Sequence, residues 1–181
     1  SHLQADETTY AVIDHAKKKA VKEWVFALRC ILSGLVAFVY ADEGSRSYET
    51  ARGLVGSPRV LMTDGGSLYL PFDRKSGTKG EPEHAYCWGH CRREFHKALT
   101  TDDARTKKAI ALVRKLYDVE DEADGKKMTP DQRLALRREK SAPVVERFMK
   151  WCDEEAPHVL PKSPIGKAYT YTKTRAAGLQ V

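Results

Sequence analysis

Two apolar runs joined by a two-residue turn limit this chain more than any other feature. "EWVFALRCIL" (23–32) is apolar at nearly every position, Ser33-Gly34 is a turn, and "LVAFVYA" (35–41) follows. Runs this short, rich in Val and aromatic residues, read as strands. So short a connection makes them antiparallel neighbours. Because "EWVFALRCIL" is apolar on both alternating sets, it reads as a strand covered on both faces, at the centre of a sheet. "LQADETTYAVI" (3–13) mixes Thr, Tyr, Val and Ile and reads as the strand before it, joined through the polar connection "HAKKKAVK" (15–22).

The next segment changes the topology. "DEGSRSYETARGLVG" (42–56) reads as a loop and a short helix, with Tyr48, Ala51, Leu54 and Val55 on one stripe and Gly56 as its cap. "SPRVLMTDG" (57–65) returns to strand, and a helix between strands implies a crossover to a parallel position. A loop over 72–84 and a short strand "HAYCW" (84–88) complete five strands. A meander followed by parallel additions is an α/β plan, the pattern of the ribonuclease H-like five-stranded mixed sheet with flanking helices.

Beyond Trp88 the chain turns helical. "GHCRREFHKALT" (89–100) is a helix candidate, and 102–124 is amphipathic through Ile110, Val113, Leu116, Tyr117 and Ala123. Thr129, Pro130 and Gln132 form a capping-box start. Pro143 begins or kinks the next helix, where Val144, Val145, Phe148 and Trp151 share a face, and Ser163-Pro164 starts another. The expected organisation is a core over 1–99, an all-helical insertion over 100–163, and a truncated return to the core over 164–181. The acidic run "DVEDEAD" (118–124) reads as a solvated face, and "RLALRREK" (133–140) as a basic one; both suit an appendage whose partner is DNA or another subunit.

Charge narrows the classes of partner. Lys and Arg total 31 against 25 Asp and Glu, a net +6 that favours an anionic partner. No apolar run reaches the length of a membrane span, and the start "SHLQADET" has no signal-peptide pattern. It also lacks methionine, as an excised or processed piece would. The scattered Cys30, Cys87, Cys91 and Cys152 suit cytosolic thiols.

Two acids stand where chemistry needs them. Asp6 lies inside the first strand, with Glu7 pointing to the opposite face. Asp64 ends the fourth strand, before Gly65 and Gly66. If those strands are parallel neighbours, the two carboxylates repel unless a cation sits between them. Magnesium suits such a site, because it takes few carboxylates and keeps positions for water and phosphate. Alternatively, Asp6 is a solvated acid and Asp64 merely opens a turn. "CWGHCRREFHK" (87–97) buries Phe95 and offers His90, Arg92, Arg93 and Lys97 to phosphates, or presents a solvated basic face. Its Cys-x-x-His-Cys spacing lacks a second ligand pair for zinc. His2, His15, His84, His96 and His158 carry no readable pattern.

Taken together, "ADETT" (5–9), "SRSYETA" (45–51), "LMTDGGSLY" (61–69) and "CWGHCRREFHKAL" (87–99) resemble, in order, the catalytic region of insertion sequence family sixty-six transposases. "LYDVEDE", "LALRREKSAPVVERFMKW" and "VLPKSPIGKAYTY" continue the resemblance to about Tyr171. The resemblance implies a DDE enzyme that cuts and joins DNA with two Mg2+ ions, Mn2+ being a possible substitute. It makes Asp6 the first acid and Asp64 the second. It also implies DNA partners (element ends and target), a homo-oligomer in the full-length protein, no membrane, and the bacterial cytoplasm. The family's third acid, in an "NN-x-x-E"-like motif, is absent from this sequence, so the fragment is expected to be inactive alone. The alternatives are an inactive remnant that binds DNA or a partner protein, or a ribonuclease H-like nuclease.

Overall fold

The computed structural model describes residues 1–16, 18–41, 45–73 and 78–181. The chain packs as two compact units, Ser1–Cys87 with Val181, and Trp88–Gln180.

The first unit is a five-stranded mixed sheet. β1 (His2–Asp14) and β2 (Lys19–Cys30) pair antiparallel from Leu3↔Cys30 to Asp14↔Lys19. β3 (Val36–Tyr40) lies antiparallel on the far side of β2. The crossover helix α1 (Tyr48–Val55) starts where Ser47 Oγ accepts the Thr50 N–H and ends at Gly56, whose φ of 67° suits glycine. β4 (Val60–Thr63) then lies parallel beside β1, and β5 (Glu83–Tyr86) parallel beside β4. The order β3-β2-β1-β4-β5, with a right-hand half parallel to β1, is the ribonuclease H-like arrangement expected from the element order.

Three local expectations need correction. The centre of the sheet is β1, not β2. Phe26 is the one buried residue of β2, because the apolar core lies on one face of this sheet. Trp24, Phe26 and Leu28 meet that core with Leu3, Ala5, Ala51, Val55, Leu61, Tyr69 and Phe72. The other face carries Phe38 and Tyr40 of β3, which are 70% and 64% exposed. The polar connection is shorter than expected, since cross-strand pairs such as Val12↔Val21 carry β2 back to Lys19. Finally, the loop over 72–84 is partly structured. A 3-10 turn (Ser67–Tyr69) runs into α2 (Leu70–Asp73), and β5 begins at Glu83. Residues 74–77 of that expected loop, 42–44 of the earlier one and Lys17 lie outside the described residues.

The second unit is helical. α3 (Trp88–His96) buries Cys91 and Phe95. α4 (Asp103–Gly125) is capped by Asp102, whose carboxylate accepts the Arg105 N–H. α5 (Pro130–Leu136) shows both halves of the expected capping box. A π-helical turn (Arg137–Ser141) leads without a break into α6 (Ala142–Glu155). Pro143 has no N–H to offer the preceding turn, and the wider π turn absorbs that misfit. α7 (Pro164–Thr174) starts at Ser163, whose Oγ accepts the Gly166 N–H. The core is aromatic: Phe95 packs edge-on against Phe148 at 5.6 Å and Tyr169 at 5.5 Å, and Trp151 against Tyr169 at 5.6 Å. Burying each such ring contributes about 2–3 kcal/mol.

The acidic and basic runs turn out to be each other's partners. Glu120 accepts from Arg133 at 2.8 Å and Arg137 at 2.7 Å, and Glu122 from Lys126 and Lys140, both at 2.6 Å. The Arg137 and Arg133 guanidiniums hold the Glu120 carboxyl below its ordinary range. These charges tie α4 to the helices that follow it.

Candidate active site

The register of β1 on β4 runs His2↔Val60, Leu3↔Leu61, Gln4↔Met62. Asp6 lies two residues beyond the last pair of that register in β1, and Asp64 directly follows the end of β4. Strand alternation puts Gln4 and Asp6 on one face with Met62, and a 3.3 Å contact from Gln4 Nε2 to Met62 Sδ lies on that face. Leu3, Ala5 and Glu7 belong to the opposite set.

Backbone amides fix both carboxylates. Asp6 is exposed, and its Oδ1 accepts the Glu7 N–H at 2.9 Å. Asp64 is half-buried, and its Oδ1 accepts the Gly66 N–H at 2.7 Å, a turn closed by its own side chain. The two glycines have different reasons to be there. Gly65 has a φ of 80°, in the left-handed region. A Cβ on Gly66 would stand 3.1 Å from Asp64 Oδ1 and 3.6 Å from Arg46 Nη2, so a side chain would crowd the carboxylate.

Behind the pair lies a cluster that sequence reasoning did not assemble. The Glu7 side chain is 4% exposed and takes Arg46 Nη2 at 2.6 Å and Nε at 3.0 Å on Oε1. The same guanidinium lies 4.6 Å over the Trp24 ring. Burial, then the Glu7 carboxylate, then the charges of Asp6 and Asp64 push the Tyr69 phenol far above its ordinary range. Tyr69 is therefore a neutral hydroxyl within electrostatic reach of three acids. The signal for Arg46 was its place in "SRSYETA"; nothing local pointed to Tyr69.

A second network braces the turn that carries Asp64. Thr63 Oγ1 accepts the Gly65 N–H at 3.2 Å and lies 2.9 Å from His84 Nε2. His84 Nδ1 lies 2.6 Å from Asp73 Oδ1, and the Tyr86 hydroxyl donates to Asp73 Oδ2. Thr63 and His84 are each 2% exposed. His84, unreadable in the sequence, is thus the hub between β4, β5 and α2. The signal available was the i, i+2 spacing of His84 and Tyr86 on a strand, which puts both on one face.

The basic residues singled out beside the acids all belong to the second unit. Arg92 and Arg93 are exposed on α3, and Lys97 just past its end pairs with Glu94 at 2.5 Å. His90 is half-buried, with Nε2 3.1 Å from Arg93 Nη2. A guanidinium can only donate, so a hydrogen bond between them has His90 Nε2 as its acceptor. Cys91 is buried with Sγ 3.5 Å from Thr172 Oγ1. Among the described residues, no three His, Cys, Asp or Glu side chains gather as a metal-binding group. No helix among them is long and apolar enough to cross a membrane.

The chain is 24% identical over 194 residues to an uncharacterized protein, y4hP, of Sinorhizobium fredii (strain NBRC 101917 / NGR234), matching 97% of this chain and 35% of that one. It therefore spans about a third of the length of the curated relative it matches. No solved structure matches it. The family model described as "Transposase IS66 family" matches residues 1–181, from the first strand to the end of the helical unit. The chain belongs to the IS66 family of transposases.

Proposed function

We propose that this chain is the part of a DDE transposase that carries its first two catalytic carboxylates, Asp6 and Asp64. The observation that supports this most is the parallel pairing of β1 with β4, since Asp6 lies in β1 and Asp64 is the first residue after β4. Like charges so placed call for a cation. The residues present suit a divalent ion of the magnesium class, with Mn2+ as a substitute. Such an ion is commonly held by one or two carboxylates and completes its shell with water and substrate phosphate. Asp6 and Asp64 would hold it, and when bound it supplies positive charge to a phosphoryl centre during cleavage and joining of DNA. A two-ion site is proposed for the whole protein.

The protein's own groups support that role. Glu7 and Arg46 neutralise each other, so the acid left to face an incoming cation on the far side of β1 is Asp6. Tyr69 stays protonated and adds no charge of its own. Gly66 leaves the space beside the Asp64 carboxylate unfilled. DNA, as element ends and target, is the proposed substrate, with His90, Arg92 and Arg93 on α3 and Lys97 just past it as phosphate contacts. In the whole protein we place this activity in a homo-oligomer in the bacterial cytoplasm. The division into a core over 1–99, an insertion over 100–163 and a return over 164–181 remains the reading for that whole protein.

The test is paramagnetic broadening of amide NMR signals by Mn2+. Broadening strongest at residues 5–8 and 62–67, and lost in both Asp6→Asn and Asp64→Asn, is the expected result. Broadening that survives the double variant, or none at millimolar Mn2+, overturns the assignment. Strand transfer by the full-length protein, abolished by either single variant, is the activity expected to follow.

A further inference from the structure

The β1–β2 hairpin reaches well past the strands that flank it. β4 pairs with β1 from His2 to Gln4, and β3 pairs with β2 from Val25 to Arg29. Beyond these, Tyr10–Asp14 and Lys19–Glu23 pair with each other alone. Five residues of strand make a ribbon about 17 Å long. None of its residues is buried, and Ile13 is 68% exposed. A two-stranded ribbon with solvent on both faces is marginal by itself in water. This one therefore adds little to the core that could explain its length.

Charge suggests what it meets. Ten of the twenty lysines and arginines of the helical unit are committed: Lys97, Arg105, Lys107, Arg114, Lys126, Arg133, Arg137, Lys140, Lys150 and Lys173 sit in ion pairs. On the ribbon, Lys18, Lys19 and Lys22 are exposed and enter no ion pair among the described residues. Lys18 sits in the turn itself, with a φ of 48°. His15 adds an exposed imidazole beside them. The two acids nearby are engaged: Glu23 accepts the Tyr10 hydroxyl at 3.0 Å, and Asp14 also has a partner. The result is a narrow arm, polar at its edges and cationic at its tip.

We propose that the hairpin tip is a DNA-contacting arm, with Lys18, Lys19 and Lys22 on the phosphates of duplex DNA. A two-stranded ribbon fits the B-DNA major groove, which is about 12 Å wide. Lysine on phosphate binds without sequence preference and releases counterions, so the contact is salt-dependent. This rests on the reading that the chain acts on DNA, and adds the site by which it would hold the duplex away from the carboxylates.

The experiment measures binding of the chain to a random-sequence 20-base-pair duplex by fluorescence anisotropy across a salt series. The triple variant Lys18→Gln, Lys19→Gln, Lys22→Gln is compared with Lys107→Gln, Lys126→Gln, Lys140→Gln, which removes the same charge from committed amines. Circular dichroism checks that both remain folded. The arm variant should bind roughly tenfold more weakly, and its slope of log K against log salt should be shallower by about 2–3. The control should keep most of the affinity. Equal weakening in both would show a general field and overturn the arm. An unchanged arm variant would overturn it too while leaving DNA binding intact. No binding by the unchanged chain at low salt would overturn both the arm and DNA binding by this chain.

Discussion

Replacing His84 by Ala tests the hub that braces Asp64. The ring is 2% exposed and lies between Thr63 Oγ1 at 2.9 Å and Asp73 Oδ1 at 2.6 Å. It also packs against the rings of Tyr86 at 4.6 Å and Phe72 at 6.0 Å. Truncation removes both polar contacts and most of the packing. A buried group that loses its partner costs about 1–3 kcal/mol, and the Thr63 hydroxyl stays buried. Asp73 is one-third exposed, so water recovers part of its loss. The vacated ring volume adds about 1–2 kcal/mol. The sum is about 2–5 kcal/mol, a large share of the stability of any small domain.

The milder Thr63→Val keeps the shape of the side chain and removes only the hydroxyl. It deprives both His84 Nε2 and the Gly65 N–H of a partner, so a loss of about 1–3 kcal/mol is expected. Urea unfolding read residue by residue from amide NMR signals in β4 and β5 suits a chain of two units, because one global midpoint is poorly defined there. Gly65 and Gly66 amides should exchange faster in both variants before global unfolding. If His84→Ala shifts the β4–β5 transition by less than about 1 kcal/mol, or leaves Gly65 exchange unchanged, the network is not what holds the Asp64 turn.

Two further predictions use local geometry. Gly166→Ala places a Cβ 2.2 Å from the Leu160 carbonyl oxygen and 2.9 Å from the Pro161 carbonyl, so it should destabilise the helical unit by about 1–3 kcal/mol or more, whereas Gly53→Ala meets nothing within 4 Å inside α1 and should stabilise the sheet unit by about 1 kcal/mol; calorimetry showing both shifts in one direction would contradict this. Lys126 and then Lys140 lower the Glu122 carboxyl from its ordinary 4.5 to about 2, so its contribution is complete above about pH 4.5 and is lost as pH falls toward 2; Glu122→Gln should flatten the acid-unfolding slope of the helical unit in that window, and an unchanged slope would show that the pairs add nothing.

What was legible in this chain divides by the range of the interactions involved. Period-2 alternation and a two-residue turn are local, so β1, β2, β3 and their antiparallel pairing could be read directly. One crossover helix then forced β4 parallel, and a parallel β4 beside β1 brings Asp6 and Asp64 onto adjacent strands without any knowledge of side-chain packing. Caps were equally readable, because Ser47, Thr129 and Ser163 act on amides three residues away. Sheet position was not. The even apolar character of β2 marks a strand that could be covered twice, but coverage depends on what the rest of the chain places over each face, and here the core lies on one. The supports of the candidate site were hidden for the same reason. Arg46 reaches Glu7 across 39 residues, and His84 reaches Thr63 across 21. Neither distance leaves a period or a spacing behind. This asymmetry bears on the carboxylate at the end of β4. Local rules could say that an acid followed by two glycines closes its own turn, and it does, through the Gly66 amide. They could not say that the turn is itself held from below by a buried imidazole. An acid that only opened a turn would need no such support, since a side chain and one amide suffice for that. The investment of Thr63, His84, Asp73 and Tyr86 beneath a single surface turn is best understood if the direction in which Asp64 points matters, which is what a ligand to a shared cation requires.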